Sequence, residues 1–506
     1  MLKRTFCATC LGVDAVTVTI EVDVSDGISF YLVGLPDSAV RESQQRITTA
    51  LGTIGARIPG KRITVNMAPA DLKKEGSSFD LAIAIGILAA SGQYSFLNLE
   101  EFIIMGELAL DGSLRPVSGA LPIAEHARNE GYRGCIFPVS SALEASEIEG
   151  IDIFAATHIK DVISILYGEL VIAPLKQKRE ISSASNVDEI PDFAYIRGQE
   201  SAKRAFEVAA AGSHNILLSG PPGSGKTYMA KALAGILPEM TSQESVETSK
   251  VYSVAGKGAL KDGLIRIRPF RSPHHSASLY AITGGGTNAL PGEISLAHNG
   301  VLYLDEILEF SRSVLEVLRQ PMEERSVSIS RLKYKVKYPA NFMLVASMNP
   351  CPCGFFGQSG DRCKCTPFQI TRYRSRLSGP LMDRIDIFCD VNPVPAHLLT
   401  SGTFSESSRE IRLRVEKARK IQQERFNGSI LSNSQMSSAD LRMHCKTGKR
   451  EADFLSGAIS RLSLSARAYT RILKVARTIA DLENAQSISV CHIAEAIQYR
   501  RTGLIY

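Results

Sequence analysis

No stretch of this sequence is apolar for long enough to cross a bilayer. The longest such run, residues 79–90, is far short of the roughly 20 residues that span a membrane, and it carries Asp80. No membrane partner is expected. The first residues, MLKRTFCATCLGVDAVTVTIEVDV, also lack the continuous apolar core of a secretory leader: one basic pair gives way to strand-like alternation and to Asp14. A cytoplasmic chain is the expectation. A disulfide framework is missing too. Ten cysteines serve 506 residues, and six of them are scattered singly or as the pair Cys7 and Cys10, which reads as core packing. No repeat of solenoid length is present, which excludes a stacked-repeat architecture.

What the chain does have is length and a 44% hydrophobic content, enough for several cores, so about three domains are expected. Polar stretches at residues 176–189 and 401–408, with a second run at 427–438, read as linkers. Between them, short apolar runs at 216–218, 301–304 and 343–346 alternate with helical patterns, which predicts an α/β core with a mostly parallel sheet. Beyond residue 408 the spacing turns helical, as at 411–425 and 466–482. Charge divides in the same place. From residue 401 onward 18 Lys and Arg face 10 Asp and Glu, whereas the first 400 residues hold 40 basic and 42 acidic groups. A basic C-terminal region is the usual footprint of a polyanion partner, and also of a solvated helical face.

The sharpest chemistry follows the strand at 216–218, which empties into Gly220, Pro221, Pro222, Gly223, Ser224, Gly225, Lys226 and Thr227 before a helix. The glycines let backbone N–H groups curl round phosphates, Lys226 reaches the β and γ oxygens of ATP, and the Thr227 hydroxyl completes a Mg²⁺ shell. A second apolar strand delivers Asp305, which orders the Mg²⁺ waters, and Glu306, placed to take a proton from an attacking water. Asn349, at the end of the next strand, would position the same water; a turn-capping role is its bland alternative. Lys226 and Asp305 stand 79 residues apart, more than one helix and one strand require. The excess predicts an insertion at 271–293, a hairpin interrupting a helix, which carries His274, His275 and Tyr280. A further strand pair at 326–338 sets Arg331, Lys333, Lys335 and Lys337 on one face, which suits a phosphate backbone or, equally, a lysine-protected edge strand. Cys351, Cys353, Cys363 and Cys365 form two CxC pairs nine residues apart, a candidate structural Zn²⁺ site, with reduced or redox-active thiols as the alternative.

With IRGQESAKRAFEVAAAGSHNILLSGPPGSGKT, RPFRSPHHSAS, GEISLAHNGVLYLDEI, SMNPCPCGFFG, RYRSRLSGPLMDRID and LSARAYTRILKVARTIADLE, the sequence resembles the AAA+ ATPases, and among them the Mg-chelatase-like group of bacterial YifB and ComM proteins. The resemblance implies an N-terminal Lon-protease-like domain at 1–172, a linker at 173–191, an AAA+ core at 192–395 and a helical lid at 396–506. It implies a homo-hexameric ring with ATP between subunits, Arg384 as the finger reaching a neighbour's γ-phosphate, and Arg467 as a lid sensor; from the sequence alone, either reads as a salt-bridged surface arginine. The insert and the basic strand pair would face the ring's pore. In the Lon-like region Ser78 falls at the nucleophile position, but the activating lysine is replaced by Leu121, whose alkyl chain has no basic nitrogen, so peptidase activity is not expected. For function the resemblance implies a helicase that moves branched DNA junctions in recombination and natural transformation, in company with recombination proteins. A metal-insertion motor of the magnesium-chelatase kind and a protein-remodelling chaperone or protease are the alternatives.

Overall fold

The computed structural model describes residues 1–74, 76–168, 172–175, 190–257, 263–286, 289–330, 335–357, 362–394, 405–428, 432–462 and 464–500. The chain is a mixed α/β protein with helices at its C-terminal end. Among the described residues no helix is long and apolar enough to cross a membrane.

The N-terminal region is a seven-stranded sheet in the order Ser29–Val33, Arg62–Ala68, Asp14–Ser25, Leu2–Leu11, Phe102–Ile104, Gly134–Pro138, Asp152–Ala156. The first two strands in sequence form an antiparallel hairpin, and the alternation read at the N-terminus buries Val18, Ile20 and Val22 beneath it. The apolar run that falls short of a membrane span is the helix Asp80–Ala90, buried along its whole length. Its charge is matched locally, because Arg46 holds Asp80 in two hydrogen bonds of 2.6 and 3.0 Å. Leu121 is fully buried.

The central sheet is parallel throughout, in the order Phe270–Arg271, Val301–Leu304, Met343–Met348, Ile216–Ser219, Ile387–Asp390. All residues of the strands Ile216–Ser219, Val301–Leu304 and Met343–Met348 are buried, which is why each reads as an unbroken apolar run. The insertion expected at 271–293 is a short helix, Leu279–Thr283, then the ribbon of Gly284–Gly285 with Leu290–Pro291, then the helix Glu293–Leu296. It packs against Ile329 of a separate antiparallel pair, Ser326–Ser330 with Lys335–Pro339.

The C-terminal helices Ser408–Arg425 and Ala466–Leu482 share one hydrophobic core with the sheet, through the alanine-rich helix Glu200–Gly212 between them. The polar run at 427–438 is not a linker, where it is described. Ser432, Asn433 and Ser434 are buried, and Asn433 Nδ2 donates to Thr478 Oγ1 at 3.1 Å and Asp481 Oδ2 at 2.8 Å. Its polarity answers buried helix groups, a demand invisible in composition. Residues 176–189 and 401–404 lie outside the described residues. The N-terminal region touches the core where Gly119 N donates to Ser253 O at 3.2 Å, where Lys250 pairs with Glu125, and where Gly12 abuts Val336.

One buried carboxylate ties the helical end to the sheet. Asp386 is almost fully buried, accepts from Asn215 N at 2.9 Å, and meets Arg471 Nη1 at 2.9 Å. Burial pushes this carboxyl up, but the Arg471 charge and its other partners outweigh burial and hold it well below the usual carboxylate range. A depressed carboxylate contributes stability that is present above its unfolded value of about 3.9 and is lost as pH falls. Asp386→Ala is expected to cost about 3 kcal/mol and to flatten the acid limb of a thermal-melting profile between pH 7 and 3. An unchanged limb would show that the pair contributes nothing to linkage.

Candidate nucleotide site

Parallel pairing brings the ends of three strands to one edge of the sheet, and the residues singled out in the sequence sit there. Gly220 leaves the strand Ile216–Ser219 so close to the backbone at Val391 that a Cβ would lie 2.2 Å from its carbonyl oxygen. Gly225, at φ 88°, caps the helix Lys226–Ala232 in a conformation that favours glycine. Between them the loop of Pro221, Pro222, Gly223 and Ser224 is closed by Ser224 Oγ donating to Pro221 O at 2.9 Å.

Lys226 is 9% exposed, and its Nζ donates to Gly220 O at 2.7 Å, Pro221 O at 2.8 Å and Asn349 Oδ1 at 3.3 Å. Burial lowers its pKa, while Asp305 and Glu306 act the other way. Thr227 Oγ1 donates to Asp305 Oδ2 at 3.0 Å. A hydroxyl and a carboxylate in contact at the start of a helix are the hard oxygen donors that suit Mg²⁺. Burial raises the Asp305 pKa, but hydrogen bonds from Ser347, Tyr303, Thr227 and Glu306 N outweigh it, so the group stays ionised. Glu306 is exposed, at φ 50°, with its N–H donating to Ser347 Oγ at 3.1 Å. That left-handed backbone conformation is uncommon for glutamate.

Tyr303 and Ser347 were not found by sequence reasoning. Each is a buried strand residue with no motif of its own, yet Tyr303 Oη donates to Thr227 Oγ1 at 3.3 Å and Ser347 Oγ donates to Asp305. A cavity of 390 Å³ opens beside the loop, with apolar walls from Tyr195, Ile196, Tyr228, Met229 and Val394. Its size and lining suit a ligand's ring system, and its position adjoins Gly223 and Gly225. Residues 196–199 belong to a stretch that the resemblance covers, and nothing in the composition of 195–199 marks it as a wall.

Other candidates lie elsewhere. Arg384 is 8% exposed, with Nη2 paired to Glu323 at 2.6 Å and Nη1 donating to Pro380 O. Arg467 is 63% exposed and 3.5 Å from Asp383. Lys335 and Lys337 are exposed while the alternating residues Val336 and Tyr338 are buried; Arg331 and Lys333 fall outside the described residues. His274 is exposed and packs against His275, with ring centroids 4.1 Å apart and the rings tilted by 34°. The four cysteines of the CxC pairs converge.

Sequence comparisons agree along the chain. The family models for magnesium chelatase, subunit ChlI, match residues 192–399, 20–141 and, for its C-terminal part, 405–500. Competence protein ComM of Haemophilus influenzae is 47% identical over 97% of this chain and 96% of its own length. YifB of Escherichia coli is 43% identical over 97% and 95%. The chain belongs to the Mg-chelatase-like YifB/ComM family. A weaker likeness, 28% identity over 28% of this chain, links this family member to Lon protease 2 of Bacillus subtilis.

Two substitutions test the cleft. Lys226→Ala removes the ammonium nearest the loop, and nucleotide affinity, read by anisotropy of a fluorescent ATP analogue, is expected to fall at least about 10-fold, since charged hydrogen bonds contribute about 1.5–3 kcal/mol. Ser347→Ala leaves the loop intact but deprives Asp305 and Glu306 N of a partner. It is expected to lower turnover about 5–10-fold, as losing about 1 kcal/mol from these two hydrogen bonds would, with little change in KM for ATP. A KM effect alone would place Ser347 in binding instead.

Proposed function

We propose that this protein is an ATP-driven ring motor that acts on DNA and moves branched junctions during recombination and natural transformation. Its family supports an AAA+-type ATPase, with ATP and Mg²⁺ as cofactors. When bound, Mg²⁺ would neutralise charge on the β and γ phosphates, held through Thr227 and Asp305. The chain's own groups do the rest: Lys226 grips phosphate oxygens, Asn349 orients the attacking water, and Glu306 accepts its proton. Arg384 would exchange Glu323 for a neighbouring subunit's γ-phosphate, and Arg467 would read the same nucleotide from the lid. The divisions at 1–172, 173–191, 192–395 and 396–506 belong to this proposal, as does a Lon-like N-terminal fold that docks the ring without peptidase chemistry.

The observation that carries the DNA assignment is the strand Lys335–Pro339, rooted by Val336 and Tyr338 with Lys335 and Lys337 outward beside the insert bearing His274 and His275. Outward lysines on a rooted hairpin grip a phosphate backbone without reading bases. The relative named as a competence protein, matched along nearly its whole length, points the same way.

Replacing Lys335 and Lys337 with Ala is expected to weaken duplex binding and to reduce the slope of log K against log salt by about 1.8, or about 0.9 per lost phosphate contact. An unchanged slope would return both lysines to the role of solvated edge protection. Glu306→Gln is expected to bind ATP as the parent does while turnover falls at least about 100-fold, the scale of a general-base contribution. Retained hydrolysis would mean that another group takes the proton.

A further inference from the structure

The strand Met343–Met348 leaves the sheet at Asn349 and runs directly into the cysteine loop. Cys351 Sγ lies 3.3 Å from that of Cys353 and 3.7 Å from that of Cys363; Cys353 and Cys363 are also 3.7 Å apart, and with Cys365 all four sulfurs fall within 4.8 Å. Four thiolates placed tetrahedrally round one ion, with metal–sulfur bonds of about 2.3 Å, stand about 3.8 Å from one another. The spacing therefore fits a single ion. It is too tight for the ligands of an iron–sulfur cluster, whose thiolates are held apart by the inorganic core. An all-thiolate tetrahedral set favours Zn²⁺ over Mg²⁺ or Ca²⁺, which take oxygen.

The same loop is pressed against the nucleotide site. Gly354, at φ 84°, approaches Pro222 so closely that a Cβ would stand 2.6 Å from its Cδ. Three residues upstream of Gly354 is Cys351, which is buried and whose carbonyl accepts from Gly354 N at 2.9 Å. Two residues further upstream, Asn349 takes the hydrogen bond from Lys226. From the far side Arg374 Nε donates to Pro350 O at 3.2 Å and its guanidinium lies 5.3 Å from the Phe356 ring centroid. Residues 349–354 thus touch the phosphate loop at two points, Lys226 and Pro222, and two of the four thiols lie on this short segment.

We propose that the four cysteines bind one Zn²⁺ and that the metal-closed loop braces the phosphate loop, so that nucleotide affinity depends on a metal that takes no part in the reaction. The brace rests on the nucleotide reading of this cleft; the metal site does not. Without the ion, four clustered thiols lose what draws them together, the loop slackens, and Asn349 and Gly354 no longer hold their places against Lys226 and Pro222.

The test uses the full chain. Elemental analysis of the purified protein is expected to give about one zinc per chain, and Cys363→Ser with Cys365→Ser to remove it. Zinc is then stripped with a chelator, the chelator is removed, and Mg²⁺ is restored before binding of a fluorescent ATP analogue is measured. Affinity is expected to fall at least about 5-fold and to return when zinc is added back. Gly354→Ala, which keeps all four thiols, is expected to retain zinc yet weaken nucleotide binding, because its Cβ meets Pro222. Protein that neither contains zinc nor takes it up after reduction would overturn the metal site. Zinc loss or Gly354→Ala with unchanged affinity would overturn the brace. Absence of nucleotide binding in the zinc-loaded chain would overturn the nucleotide reading, and the brace with it, while leaving the metal site standing.

Discussion

The parallel register of three buried strands is the constraint on which the rest of the structure depends. Ile216–Ser219 pairs with Met343–Met348, which pairs in turn with Val301–Leu304, all running the same way. Their ends therefore emerge on one edge, and Gly220, Asp305 and Asn349, more than a hundred residues apart at the extremes, become neighbours. The contacts from Thr227 to Asp305 and from Lys226 to Asn349 follow from that register. A slip of one residue would turn the strand ends away from one another and dissolve the cleft.

Around this edge the chain places parts whose stability is shared. The helical end does not form a core of its own: Ile411, Val415 and Ile472 pack with Ile216 and Val301 in one cluster, and Asp386 joins sheet to helix through Arg471. Movement of the helices relative to the sheet would therefore have to repack that core and shift Arg471 against Asp386. The N-terminal sheet meets the core at Ser253 and at Val336, the latter in the strand that carries Lys335 and Lys337.

Much of the central fold and cleft was legible because each signal was local. A glycine-rich loop between an apolar strand and a helix, an acidic pair at a strand end, and an insertion betrayed by a long spacing all survive in linear order. The four cysteines were legible as a set for the same reason. What escaped notice was non-local or carried no distinctive chemistry. Tyr303 and Ser347 look like ordinary strand residues until folding sets them over Thr227 and Asp305. Ser432, Asn433 and Ser434 look like linker because their buried partners Thr478 and Asp481 lie more than forty residues on. Arg384, which resemblance reads as a finger for a neighbour's γ-phosphate and sequence alone as a salt-bridged arginine, pairs with Glu323 within its own chain. A role across a subunit boundary requires a second copy.

Steady-state ATP hydrolysis shows most directly whether ATP turnover is coupled to DNA. Rates are compared without polymer, with single-stranded, duplex and four-way-junction DNA, and with an unfolded protein as the competing substrate class. Strong stimulation by DNA, greatest with the junction, is expected if the ring acts on DNA. Stimulation by unfolded protein alone, or by none of these, would contradict the DNA assignment while leaving the nucleotide cleft in place.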